Sequence, residues 1–150
     1  MENDRIRPRL QSLLRLHGER RGARLRLLDT LAEAVADMAD TLPEGRLAVV
    51  CDPTTLELAG RRLATSLSSP ETIVIDGRHG QPPKAGIPEV EELRRRLQRA
   101  GVAGVAAVGA GTINDLTKAA CHRLDLPYAV LATAPSMNGY TSAAAALLDD

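Results

Sequence analysis

The sequence lacks phenylalanine and tryptophan altogether, and Tyr128 and Tyr140 are its only aromatic residues. A core built around aromatic side chains is therefore excluded. Alanine, leucine and valine must fill the interior, as suits helices packed on a sheet of β-branched residues. Proteins that bind single-stranded nucleic acid usually stack bases on aromatic side chains, so their scarcity argues against that function.

The chain also lacks an excess of charge of either sign, since 19 basic residues balance 19 acidic ones. No overall field would attract nucleic acid or an anionic membrane. The first 30 residues contain no apolar run of the kind found in signal peptides, and no stretch approaches the length that spans a bilayer. Cys51 and Cys121 show no CxxC spacing and are interpreted as reduced thiols. These absences predict a cytoplasmic protein with no membrane segment and no nucleic-acid partner.

Residues 1–45 are expected to form a helical segment ahead of the main domain. An amphipathic, arginine-rich helix is predicted over residues 4–21. A second helix is predicted from Leu25, because apolar residues recur every three or four positions until Pro43. The basic helix is interpreted as solvated. A homo-oligomer, in which this helix would pack on a partner subunit, is left open beside a monomer.

Residues 46–150 alternate apolar strands with amphipathic helices, which is the pattern of βαβ units and a mostly parallel sheet. The expected fold is therefore α/β. Strands are predicted over 47–51, 72–76, 104–108 and 128–131, with helices capped by Thr54, opened by Pro88 and beginning near Thr112. Ala143 to Asp150 resembles the start of a further helix, so the chain is interpreted as the front half of a longer protein.

A glycine turn, Gly109-Ala110-Gly111, lies between a predicted strand and the helix that begins near Thr112. Glycine permits positive φ and a close approach of ligand to backbone, and the N–H groups of a helix N-terminus attract phosphate oxygens. Thr112 and Asn114 are expected to cap the helix or to reach a ligand. Asn114 stands where the dinucleotide fingerprint has its last glycine. The turn alone therefore leaves phosphate binding and a plain strand-to-helix connection equally open.

Asp115 follows in the first helical turn, where the helix dipole favours a carboxylate but an adjacent pyrophosphate would be repelled. It is expected to hold the turn or to contact a ribose or nicotinamide edge. Asp115, Lys118 and His122 share one helix face. That face is interpreted as solvated with a weak ion pair, because it lacks a third good ligand for a metal.

A second polar segment, residues 133–142, follows the last predicted strand, with five hydroxyl residues and one amide in ten positions. Such polarity exceeds what a connection needs and favours a segment that faces a ligand. Carboxyl ends of neighbouring parallel strands meet at one edge of a sheet, where open α/β sheets bind nucleotides. Asp52, at the end of the first strand, is a candidate for binding the adenosine ribose and would favour NAD over NADP. Its other interpretation is the N-cap of the next helix.

The runs VGAGTINDLTK, from Val108, and TAPSMNGYTS, from Thr133, together resemble the sn-glycerol-1-phosphate dehydrogenases, especially their bacterial branch. That group belongs to a superfamily with glycerol dehydrogenase, iron-containing alcohol dehydrogenases and 3-dehydroquinate synthase. The close match covers about residues 104–148, and a looser one reaches back to about residue 46. The resemblance implies a Rossmann-like domain that binds NAD or NADP. It also implies a following helical domain whose Asp and two His bind a divalent metal such as zinc, nickel or iron.

The resemblance further implies roles for individual residues. Asn138 takes the position that contacts substrate, where the family usually has Asp, so a charge is lost and a donor gained. No histidine of the chain takes a metal-ligand position, and those ligands are expected beyond Asp150. The implied cofactor contacts are Asp52, Gly109, Gly111, Thr112, Ile113, Asn114, Asp115, Thr133, Ala134, Pro135, Ser136 and Ser142.

The activity implied by the resemblance is hydride transfer between NAD(P) and a secondary alcohol of a small phosphorylated polyol. The expected substrate pair is sn-glycerol 1-phosphate and dihydroxyacetone phosphate, with the metal polarising the substrate oxygen. The chain by itself is expected to bind NAD weakly and to show no turnover. Two alternatives stay open: a stand-alone nucleotide-binding module, and half of a lyase of the dehydroquinate synthase type.

Overall fold

A computed structural model of the chain describes residues 24, 26–77, 81–134, 140, 142 and 144–148. Strands and helices alternate along these residues, as the sequence predicts for an α/β fold. In chain order the elements are α1 (Leu31–Thr41), β1 (Leu47–Cys51), α2 (Pro53–Thr55, the π-helical turn Leu56–Gly60, and Arg61–Ser66), β2 (Glu71–Val74), α3 (Ile87–Ala100), β3 (Gly104–Gly109), α4 (Gly111–Leu124) and β4 (Tyr128–Ala132).

The four strands form one parallel sheet in the order β2-β1-β3-β4. The chain leaves β1 for the edge strand β2 and then returns to β3 on the other side of β1. Connections therefore diverge between β1 and β3, which is where open α/β sheets bind ligands, outside the carboxyl ends of the strands. The predicted parallel sheet is confirmed.

Alternate residues of the central strands face opposite sides of the sheet. Ala48 and Val50 of β1 face the side covered by α3 and α4, in a cluster that includes Leu93, Leu97 and Leu116. Val49 and Cys51 face the other side, where α1 and α2 contribute Val35, Met38 and Leu63. Both clusters consist mainly of aliphatic side chains, as the shortage of aromatic residues requires.

Helix α1 begins at Leu31, so the predicted start at Leu25 is wrong. Thr30 is the N-cap: its Oγ1 accepts a hydrogen bond from the Glu33 N–H at 3.2 Å, and Glu33 Oε2 accepts one from the Thr30 N–H at 3.3 Å. This capping box satisfies N–H groups that would otherwise lack partners and fixes the start of the helix. The predicted helix over residues 4–21 lies outside the described residues, and the domain division at residue 45 stays a prediction.

Helix α2 is capped by Asp52, so the predicted cap, Thr54, is wrong. Asp52 Oδ1 accepts a hydrogen bond from the Thr55 N–H at 2.8 Å, and Thr55 Oγ1 accepts one from the Asp52 N–H at 3.0 Å. Pro53 is the first helical residue, where its missing N–H costs nothing. The N-cap interpretation of Asp52 is therefore confirmed.

Residues 144–148 are not helical, so the helix predicted from Ala143 is wrong over the part of that stretch that the structure describes. Leu148 forms a parallel bridge with Gly86 instead. Its N–H donates to the Ala85 carbonyl at 2.7 Å, and its carbonyl accepts from the Ile87 N–H at 3.3 Å. These hydrogen bonds hold the segment against the residues that precede α3.

Cys51 and Cys121 are buried and unpaired. Burial raises the pKa of Cys51 to about 11 and that of Cys121 to about 12, so both thiols stay protonated near neutral pH. Within the described residues, no helix combines the length and the apolar character needed to cross a membrane.

Candidate functional site

The predicted site residues follow three adjacent strands at the same edge of the sheet. Asp52 follows β1, the glycine turn follows β3, and Thr133 and Ala134 follow β4. In the sheet register Cys51 lies beside Val108, and Gly109 lies beside Ala132. The Thr133 N–H donates to the Gly109 carbonyl at 3.2 Å. The predicted convergence of the two turns is confirmed for these described residues.

Residues 135–139 and 141 of the second segment lie outside the described residues, and they include the predicted site residues Pro135, Ser136 and Asn138. Of its described members, Tyr140 donates its hydroxyl to the Ala134 carbonyl at 2.9 Å, and Ser142 Oγ accepts from the Ala144 N–H at 3.1 Å. Two of the hydroxyls that suggested a ligand-facing segment thus make hydrogen bonds to backbone groups within or beside that segment.

The glycine turn does not use positive φ. Among described glycines, Gly45 and Gly101 have positive φ, and Gly109 and Gly111 do not, so that part of the prediction is wrong. Gly109 is instead required by close packing, since a Cβ on it would lie 2.6 Å from Ile113 Cβ. The missing side chain lets the first turn of α4 pack directly against the end of β3.

Ala110 is the N-cap of α4, and within the described part of the chain no side chain caps this helix N-terminus. Of the two roles predicted for Thr112 and Asn114, helix capping is therefore wrong, and contact with a ligand stays a prediction. The first N–H groups of a helix have no partner within the helix, and here no capping side chain replaces one. Such a terminus at the carboxyl edge of the sheet suits an anion, because its N–H groups and the helix dipole both favour negative charge.

Asn114 is fully buried, and only one of the two polar atoms of its side-chain amide makes a hydrogen bond within the described residues. Its Nδ2 donates to Asp115 Oδ1 at 3.2 Å, whereas its Oδ1 accepts no hydrogen bond from any residue that the structure describes. A buried acceptor without a partner costs free energy and is uncommon in native proteins. A bound molecule that donates a hydrogen bond at this position would remove that cost.

Asp115 and Lys118 form a buried ion pair rather than the solvated face predicted for them. Their exposed fractions are 4% and 8%, and Lys118 Nζ lies 3.8 Å from Asp115 Oδ1. Burial lowers the pKa of Lys118, and the Asp115 carboxylate opposes that shift. His122 alone is exposed, so the prediction is wrong for two of the three residues.

Sequence reasoning missed the burial of this ion pair because Lys118 is also contacted by a segment far away in the sequence. Lys118 Nζ donates to the Ala144 carbonyl at 3.1 Å, across 26 positions of the chain. The helical spacing of Asp115 and Lys118 identified the pair. Nothing in that spacing shows which segment covers it.

Sequence reasoning also missed a cavity of about 440 Å³ beyond β2. Its lining combines apolar groups, such as Ile75 and Leu93, with charged ones, such as Lys84 and Arg96. One of its lining residues is bonded to the end of β1, since the Ile75 N–H donates to the Cys51 carbonyl at 2.7 Å. The available signal was the long strand-to-helix connection rich in glycine and proline, since long connections often carry binding sites.

The described residues contain no group of three or more His, Cys, Asp or Glu side chains that could hold a metal ion. His17 and His79 lie outside the described residues. The metal implied by the resemblance therefore does not fit the described part of this chain.

Comparisons with known proteins agree on one family and one fold. The family model described as iron-containing alcohol dehydrogenase matches residues 27–150. Curated relatives named glycerol-1-phosphate dehydrogenase (NAD(P)+) include one from Bacillus velezensis, which is 35% identical over a 105-residue alignment that covers 67% of this chain and 26% of the relative. Another, from Methanosarcina acetivorans, is 28% identical over a 123-residue alignment that covers 79% of this chain and 33% of the relative.

Two solved structures show the same fold. Glycerol dehydrogenase from Schizosaccharomyces pombe has a TM-score of 0.59 at 19% identity, over 71% of this chain and 26% of that one. A probable glycerol dehydrogenase from Sinorhizobium meliloti has a TM-score of 0.57 at 18% identity, over 72% and 27%. The chain thus spans about a quarter to a third of the length of these relatives.

Proposed function

Because the chain belongs to the iron-containing alcohol dehydrogenase family, we propose that it is the NAD(P)-binding part of an oxidoreductase acting on a small phosphorylated polyol. The proposed substrate pair is sn-glycerol 1-phosphate and dihydroxyacetone phosphate, which agrees with the names of the curated relatives. The main support from the fold is the N-terminus of α4. Among the described residues no side chain caps it and none pairs with the nearby Asn114 oxygen, and it follows one of the two strands between which the connections diverge.

The residues after β3 suit the diphosphate of the cofactor. Backbone N–H groups of Gly111, Thr112 and Ile113 would donate to its oxygens, and Asn114 Oδ1 would accept from a ribose hydroxyl or an amide. When bound, the nicotinamide ring supplies the hydride acceptor or donor. Gly109 keeps the helix N-terminus close to the strand end and so sets the position of these groups.

The adenosine end of the cofactor is assigned to the part of the sheet edge formed by the ends of β1 and β2. Asp52 is partly buried, and its Oδ1 is occupied by the cap hydrogen bond. Its Oδ2 makes no hydrogen bond within the described residues and would accept from the ribose hydroxyls. The neighbouring cavity beyond β2 is large enough for a heterocyclic base, since small-molecule pockets begin at about 300 Å³.

The nicotinamide end is assigned to Thr133, Ala134 and Ser142, with Pro135 and Ser136, and the substrate contact to Asn138. These assignments rest on the resemblance together with the adjacency of β3 and β4. An amide at residue 138 cannot supply the charge of a carboxylate, and it adds two N–H donors that suit a phosphate or a carbonyl oxygen.

The test is a titration of the full chain with NAD, NADP and ATP by calorimetry, followed by an assay of NAD reduction with sn-glycerol 1-phosphate. We expect NAD to bind more tightly than ATP, because only NAD contacts the turns after both β3 and β4. We expect no turnover by the 150-residue chain. Equal affinity for ATP and NAD would favour a general nucleotide-binding module. Measurable turnover would contradict the proposal that this chain binds the cofactor but does not catalyse the reaction by itself.

A further inference from the structure

Asp115 presents an electrostatic conflict for the proposed cofactor site. It lies in the first turn and a half of α4, on the helix whose N-terminus is assigned to a diphosphate, and its exposed fraction is only 4%. Charges in a poorly solvated region interact much more strongly than charges in water. A bare carboxylate here would therefore oppose the binding of two phosphate groups.

Lys118 resolves this conflict. Its ammonium nitrogen lies 3.8 Å from Asp115 Oδ1 and is itself buried, with an exposed fraction of 8%. We propose that Lys118 is a positioning residue for the cofactor: its charge neutralises the Asp115 carboxylate, so that the N-terminus of α4 presents a net attraction to the diphosphate. This inference rests on the proposed function.

The geometry gives Asp115 a task that needs an oxygen but not a charge. Asp115 Oδ1 accepts from Asn114 Nδ2 at 3.2 Å, which fixes the amide and leaves Asn114 Oδ1 for the ligand. An asparagine at residue 115 would still supply the accepting oxygen. The carboxylate charge can therefore be removed without losing the orientation of Asn114.

The ammonium is itself held in place from a second side. Lys118 Nζ donates to the Ala144 carbonyl at 3.1 Å, and the Ala144 N–H donates to Ser142 Oγ at 3.1 Å. Lys118 thus connects α4 to the segment that contains Ser142. Methionine at residue 118 would keep most of the apolar stem and lose the charge.

The experiment compares the affinity of the full chain for NAD and for adenosine in K118M, D115N and the double variant, with R62M as control. Arg62 is exposed on α2, which covers the opposite side of the sheet from α4. All variants are measured at a temperature at which circular dichroism shows them folded. Adenosine has no phosphate and so reports contacts that do not depend on charge.

We expect K118M to weaken NAD binding about tenfold, within the usual range of coupling between contacting residues. The D115N variant should bind NAD at least as tightly as the wild type, because it removes the carboxylate charge near the diphosphate and keeps the lysine cation. The double variant should return to within about threefold of the wild type, and adenosine affinity should stay the same throughout. R62M should behave as the wild type.

A purely structural ion pair predicts a different pattern, in which D115N also weakens NAD binding and adenosine affinity falls along with it. That result, or a double variant no better than K118M, would overturn the inference while leaving the proposed function intact. A wild-type chain that does not bind NAD would overturn the proposed function itself, and the inference with it. If K118M does not fold, the sign of the D115N effect still decides.

Discussion

At the scale of single residues, Asn114 and Gly109 are both unfavourable choices for local stability or packing, and both lie at the candidate site. The Asn114 oxygen is buried and pairs with none of the residues that the structure covers, and Gly109 has no room for a Cβ. Neither property is needed for a strand to be followed by a helix, since a capped terminus with a larger residue is the common solution. Gly109 lets the N-terminus of α4 approach the sheet closely, and Asn114 leaves a buried acceptor in the first turns of that helix.

Replacing Asn114 by leucine separates stability from binding. The N114L substitution removes the buried oxygen that pairs with no described residue, and it also removes the Nδ2 donor to Asp115 Oδ1. These two effects oppose each other, so we expect the free energy of unfolding to stay within about 1 kcal/mol of the wild-type value. NAD affinity should fall about tenfold, because the ligand loses its acceptor. Chemical denaturation and calorimetry measure the two effects.

The matched control is T117V, on the same helix. Thr117 Oγ1 is also buried and makes no hydrogen bond with the residues that the structure describes, and Thr117 has no assigned ligand contact. T117V should raise the free energy of unfolding by about 1 kcal/mol and leave NAD affinity unchanged. An N114L chain that binds NAD normally would contradict the role of the Asn114 oxygen.

Replacing Gly109 by alanine tests the close packing after β3. The new Cβ would clash with Ile113, so we expect G109A to lose about 1–3 kcal/mol of stability through overpacking. We also expect G109A to bind NAD more weakly, because the N-terminus of α4 is displaced.

The control is G101A, which lies at the end of α3. Gly101 has φ of 61° with open space around its Cβ position, so G101A should cost about 1 kcal/mol without changing NAD affinity. Equal NAD affinities of G109A and the wild type would argue against the packing requirement.

At the scale of elements, strands were predictable and helix starts were less so. The run Leu47–Cys51 is buried on both faces, and such continuous apolar runs are visible in the sequence. The start of α1 depends on the Thr30–Glu33 capping box, a local hydrogen-bond choice that the apolar periodicity before it obscures. The burial of Lys118 depends on Ala144, so no local pattern could predict it.

Asp52 has two roles: it caps α2, and it is proposed to bind the adenosine ribose. Two substitutions separate these roles. D52A removes the cap of α2 and should cost about 0.5–2 kcal/mol of stability. D52N keeps a good capping side chain, so its stability should match that of the wild type, while loss of the charge should shift preference from NAD towards NADP. Thermal unfolding and parallel titrations with both nucleotides measure these effects. An unchanged ratio of NADP to NAD affinity in D52N would remove Asp52 from the ribose site.

At the scale of the whole molecule, the proposed ligand would connect three strands that the chain visits at distant points. Asp52, Gly111 and Thr133 follow β1, β3 and β4, which are neighbours in the sheet although far apart in sequence. The parallel order of these strands was predictable from alternating strands and helices. The spatial order of the strands was not predictable, because the alternation of strands and helices does not indicate on which side of β1 the chain returns.

A ligand that connects these three strands should stabilise the fold as a unit. NAD at about 100 times its Kd should raise the free energy of unfolding by about 2.7 kcal/mol, which for a chain of this size is an increase in Tm of about 5–10 °C. Hydrogen exchange should slow in β1, β3 and β4 together, because they would open as one cooperative unit. The N114L variant should show a smaller shift in Tm at the same NAD concentration, and G101A should show the full shift from a lower starting Tm. Protection confined to the first turn of α4, with Tm unchanged, would mean that a phosphate group binds there without the rest of the cofactor.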